Sequence, residues 1–167
     1  MDGVVLGGLA TSTSRILLVV HGVLGAATVA ICTHLAVWSF PYLTGKPARH
    51  RGVRTFALVG TMTYAAQFAL GMVLYPTYAL RVKLAYLTAS PSLAWVARLF
   101  DVKEHWVALG LPLALAAVVF SVRRPAGVPG PVWPRAVFAC ALGAAVCAWM
   151  GGLIGLYASA VRSIGSL

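Results

Sequence analysis

Four long apolar runs, each free of charged residues, alternate with short polar stretches along this chain. No Asp, Glu, Lys or Arg lies between Arg15 and Lys46, Arg54 and Arg81, Glu104 and Arg123, or Arg135 and Arg162. Each run is long enough to cross a bilayer core, which takes roughly 17–25 residues at about 1.5 Å of rise per residue. Lipid offers backbone amides no hydrogen bonds, so runs of this kind become helices. The pattern predicts an all-α fold, an integral membrane four-helix bundle, with spans over about 16–40, 55–75, 103–122 and 135–161.

Proline marks two of the predicted ends. Span one is expected to stop at Pro41 and span two at Pro76, because proline disfavours continuation of the helix before it. The middle of the connection that follows, 84–97, is apolar and predicts a short amphipathic element along the interface. A proline- and glycine-rich turn, 125–134, joins spans three and four. Together with a small-residue tail over 1–14, these elements fill residues 1–167 as one four-span domain. The first apolar run exceeds a signal-peptide core and no basic region precedes it, so span one is expected to be retained.

Composition sharpens this picture. The 167 residues are 60% hydrophobic and only 10% charged, against about 25% charged in soluble domains. A net charge of +10 would suggest nucleic acid in a soluble protein. Here the basic residues sit at span ends and in loops, where lipid phosphates or cofactor carboxylates are the expected partners, and no nucleic acid is expected. The first and third connections carry Lys46, Arg49, Arg51, Arg54, Arg123, Arg124 and Arg135. The other side carries Arg15, Arg81, Lys83, Arg98, Lys103 and Arg162, with all three acids. Shorter loops weigh more in the positive-inside rule, which puts both termini outside, as for a bacterial inner-membrane protein. Cys32, Cys140 and Cys147 all fall within spans and form no CxxC motif, so they read as small buried hydrophobes.

Candidate chemistry rests on two histidines. His21 lies about 20 residues before Pro41, and His105 lies 18 residues before Arg123. Those spacings put both rings roughly 27–30 Å from the same membrane side, on helices that run in the same direction. Neutral imidazoles facing each other across a bundle are suitable axial ligands of haem iron. Gly22 and Gly25 leave space beside His21 for a flat macrocycle, and Gly110 does so below His105. Tyr75, Tyr78, Arg81 and Lys83 follow span two at that level and could hold propionates by charge-assisted hydrogen bonds. The expected site is therefore haem b with His21 and His105 as metal ligands, and Gly25, Tyr75, Tyr78, Arg81 and Lys83 around it. The reading requires both imidazoles to point into the bundle; rings on opposite flanks would leave a scaffold as the better reading.

Other polar positions add detail. His34 stands thirteen residues after His21, which turns it about 220° away on a straight helix. No histidine on spans three or four completes a second pair there, so His34 is expected to contact span two or a partner subunit. Gln67, Gly71 and Tyr75 share a face of span two that either lines the cofactor cavity or packs through Gly71. Gly151 and Gly155 form a small-xxx-small pattern that favours close helix approach, and Trp149 and Tyr157 read as interfacial aromatics.

Four spans with the His21/His105 placement resemble the small four-helix membrane b-type cytochromes. That resemblance implies a bis-histidine haem b, an electron-transfer role, and exchange with quinone or with other membrane or periplasmic subunits. Two alternatives stand beside it. Short loops and a glycine-rich fourth span also suit a cofactor-free assembly subunit of a larger complex. Glu104 beside His105 is the one obvious acid–base pair for a small membrane enzyme, though adjacent helix positions diverge by about 100°.

Overall fold

The computed structural model describes residues 11–44, 49–89, 91–122, 130 and 132–164. Four helices account for nearly all of them: α1 (Thr11–Ser39), α2 (His50–Tyr78), α3 (Ala94–Val122) and α4 (Val132–Ile164). All four are long and apolar enough to cross a membrane. The 29 residues of α1, α2 or α3 rise about 44 Å, enough to pass the hydrocarbon core and both headgroup layers. The first ten residues of the tail, Lys46, Arg123, Arg124 and most of the proline- and glycine-rich turn lie outside the described residues.

Each helix packs against its two neighbours, in the order α1, α2, α3, α4 around the bundle. α1 and α3 thus occupy one diagonal. The α1–α2 and α3–α4 connections lie at one end, called here the basic end. The other, open end carries the start of α1, the end of α4 and the α2–α3 connection.

Small residues let the helices approach closely along most of their length. At the basic end, Leu35, Tyr42, Val53, Ala57, Ala117, Trp133, Val137 and Ala141 form an apolar cluster. The indole N–H of Trp133 donates to the carbonyl of Phe120 at 2.6 Å, and Tyr42 meets the ring of His50 at 3.2 Å. The middle layer holds Cys32, Ala36, Tyr64, Ala114, Ala144, Ala145 and Ala148. A third cluster at the open end is built from Leu87, Val96 and Ala97. The cysteines are free, as their lone positions in spans suggested.

Two predicted boundaries are corrected. α1 ends at Ser39 and passes into a 3-10 turn, Phe40–Thr44, that contains Pro41, as expected. α2, however, runs through Pro76 to Tyr78 and continues as a π-helical segment, Ala79–Leu87. Proline removes one helical hydrogen bond, and a widened turn absorbs that loss where neighbouring helices support it. α3 begins at Ala94, well before Lys103. No separate interfacial element occupies 84–97; the link shrinks to residues 88–93. The apolar residues of that stretch pack the ends of α2 and α3 instead: Leu87, Val96 and Ala97 are buried with Tyr78, Val82, Leu93, Ala158 and Val161.

Candidate functional site

Between the middle and open-end clusters the apolar core is interrupted by a polar layer. α1 contributes His21, α2 contributes Gln67 and α3 contributes Lys103. Three glycines make room for them, and a fourth, Gly151, for Val107 one turn along α3. A Cβ at Gly25 would approach the Gln67 amide nitrogen to 3.1 Å, and one at Gly71 would approach the His21 ring to 3.3 Å. A Cβ at Gly155 would stand 3.6 Å from the Lys103 ammonium, and one at Gly151 would press on Val107. The small-xxx-small pair of α4 therefore faces α3, and its upper glycine receives the lysine stem.

His21 is half-buried in the α1–α2 seam, its Nε2 3.1 Å from Nε2 of Gln67. An amide nitrogen only donates, so the imidazole accepts at Nε2 and carries its proton on Nδ1. Among the described residues that buried Nδ1–H has no partner, and neither has the buried Gln67 carbonyl oxygen Oε1. A donor and an acceptor are left over side by side. Buried polar groups almost always find partners in protein, water or ligand, because leaving one unmade costs about 1–3 kcal/mol.

Lys103 is half-buried and reaches inward, its ammonium 4.3 Å from the centroid of the Phe100 ring. It lies within electrostatic reach of His21. The other face of Phe100's neighbourhood is Tyr78, stacked at 3.9 Å with its hydroxyl buried and unpartnered. Lys83 pairs with Asp101 at 2.5 Å. Among the described residues this is the one ion pair within 4 Å. Arg81 and Tyr75 are exposed. Of the residues expected to surround a cofactor, His21, Gly25 and Tyr78 turn into the bundle, Lys83 is occupied by Asp101, and Tyr75 and Arg81 face out.

His105 stands apart. It is exposed, and its Nδ1–H donates to the Asp101 carbonyl one turn earlier at 2.8 Å. Lys103 and Val107 face the bundle, and His105 lies two residues, or about 200°, around the helix from each. Gly110 also faces the bundle rather than His105; its notch receives the Tyr64 hydroxyl. The arrangement does not place the His21 and His105 rings on either side of one interior plane. Nor do Gly22 and Gly25 frame a slot for a macrocycle: Gly22 is exposed with nothing near it, and the space at Gly25 is taken by Gln67. A haem sandwiched between these two histidines inside a single bundle does not fit these residues.

His34 meets the expectation of a contact with the second helix. It is exposed, bonds back to the Ala30 carbonyl at 3.1 Å, and stacks on Phe56 of α2 at 5.7 Å. Trp149 donates to the Thr33 hydroxyl at 3.0 Å, and Tyr157 meets Trp95 at 5.6 Å. Lys103 is the interior residue that sequence reading passed over, having counted it only as a span-end charge. Its signal was present: Lys103, Val107, Gly110, Ala114 and Ala117 recur at helical spacing and define the inward face of α3.

No protein-family model, curated protein or solved structure matches this chain.

Proposed function

We propose that this protein is a membrane-embedded binding subunit, which takes the polar head of an amphiphilic ligand into the open end of its bundle. The His21–Gln67 pair carries this reading. It leaves one buried donor and one buried acceptor without partners among the described residues, in the layer where the apolar core is broken and glycines replace bulk. A purely structural subunit gains nothing from such groups, since a well-packed apolar pair would be more stable. With the basic end toward the cytoplasm, the open end and its ligand lie in the outer leaflet.

Protein extracted in mild detergent is expected to retain a small amphiphile detectable by native mass spectrometry. The double variant His21→Leu/Gln67→Leu is expected to lose it while its thermal midpoint holds or rises. A wild-type mass equal to that of the bare chain, before and after exhaustive detergent washing, would overturn the reading.

A second reading keeps the electron-transfer role and haem b. One observation favours it: Nδ1 of His105 is tied to a backbone carbonyl, which leaves Nε2 free and aimed off the bundle, the orientation common among metal-bound histidines. A haem there would lie on the flank of α3, with its other ligand from a partner subunit. A reduced-minus-oxidised absorbance band that disappears in His105→Ala but survives in His21→Ala would select this reading over the first.

A further inference from the structure

The interrupted layer carries the ammonium of Lys103, which makes no ion pair within 4 Å among the described residues, and we infer that the layer's ligand is a carboxylate. This rests on the binding reading above and names the ligand's chemistry. The chain has three acidic residues, Asp2, Asp101 and Glu104, of which Asp2 lies outside the described residues. α1 and α4 contain none. Asp101 is engaged by Lys83. Glu104, the next residue on α3, acts on Lys103 through space but makes no ion pair with it within 4 Å among the described residues. The Lys103 ammonium reaches between helices against Phe100 and Gly155, with His21 in electrostatic range.

An ammonium taken out of water without a counter-ion costs several kcal/mol, which a paired anion offsets. A cation over an aromatic ring recovers only part of that. Lys103 supplies charge and up to three hydrogens, and the unpartnered Nδ1–H of His21 supplies another donor in the same layer. A carboxylate accepts from either donor and neutralises the ammonium, which a neutral carbonyl or hydroxyl does not. Val20 and Val23 of α1 and Met72 and Val73 of α2 are exposed near the level of this layer, apolar surface for the remainder of the ligand.

Two sources of such a carboxylate are a long-chain fatty acid and a haem propionate. The test uses the full chain in nanodiscs. Oleate labelled with carbon-13 at the carboxyl is compared with methyl oleate, and haem b is compared with its dimethyl ester. Binding is read by the carboxyl resonance for the lipid and by absorbance for the haem. The free acid of one pair is expected to bind at least about tenfold more tightly than its ester, the difference a single charge-assisted contact supplies. Lys103→Met is expected to abolish that preference and Lys103→Arg to keep it, with gel filtration confirming that both variants fold. If Lys103→Met does not fold, loss of the acid-over-ester preference in His21→Leu serves in its place. Equal binding of acid and ester would overturn the carboxylate assignment while leaving a binding site in place. Failure of all four compounds to bind would overturn the binding reading itself.

Discussion

Tyr64 shows how tightly single atoms are set in this bundle. Its side chain is buried at the crossing of all four helices, with the hydroxyl lodged at Gly110 and the Cβ of Cys147 close to the same notch. A methyl group at Gly110 would overlap that hydroxyl, so Gly110→Ala is expected to cost about 1–3 kcal/mol of overpacking and to lower the thermal midpoint in detergent. Tyr64→Phe deletes a hydroxyl that has no partner among the described residues, and is expected to raise stability by about 1 kcal/mol in the same assay. A fall on Tyr64→Phe would mean that the hydroxyl bonds something the bundle binds there. The sequence marks Tyr64 and Gln67 as polar residues in a span, because composition alone makes them stand out. It is silent on the direction of His105. Height along a helix follows from residue counts, but which flank a ring occupies follows from the small residues around it, and these were read as cofactor space.

At the scale of elements, the α2–α3 corner departs most from expectation. Proline was given the weight it has in water, where a broken hydrogen bond ends a helix. Here α2 passes Pro76 because Tyr78 stacks on Phe100 and Lys83 reaches Asp101, so α3 holds the continuation in place. The four spans themselves were legible, since charge-free runs of this length have one solution in lipid. Their ends were less so: apolar residues at an interface pack equally well into a helix end or a separate element. The Lys83–Asp101 pair is partly exposed and is expected to contribute no more than about 1 kcal/mol to global stability. Its local effect is larger in proportion: Asp101→Asn is expected to speed amide hydrogen exchange across 79–87 and to leave α4 unchanged. Uniform acceleration through all four helices would show that the corner and the bundle open together.

For the whole molecule, the two ends differ in chemistry. The basic end has Arg49 above the Trp38 ring at 5.6 Å, Arg135 donating to the Leu43 carbonyl at 3.1 Å, and no acid on any described residue. The open end holds Asp101 and Glu104 and the polar layer beneath them. If the basic end faces the cytoplasm, an impermeant maleimide is expected to label Ala89→Cys on intact cells and Arg51→Cys only after permeabilisation. The reverse pattern would turn the molecule over and put the ligand site in the cytoplasmic leaflet.

The π-helical stretch Ala79–Leu87 has one more consequence. A π turn is an ordinary helix that has taken in a surplus residue, so this stretch can surrender one and remain helical. Removing Leu84, which faces outward, would return the stretch to an ordinary α-helix and leave the residues beyond it facing as before. Leu87 would keep its seat against Val96, whereas a second deletion would turn it by about 100° and loosen the open-end cluster.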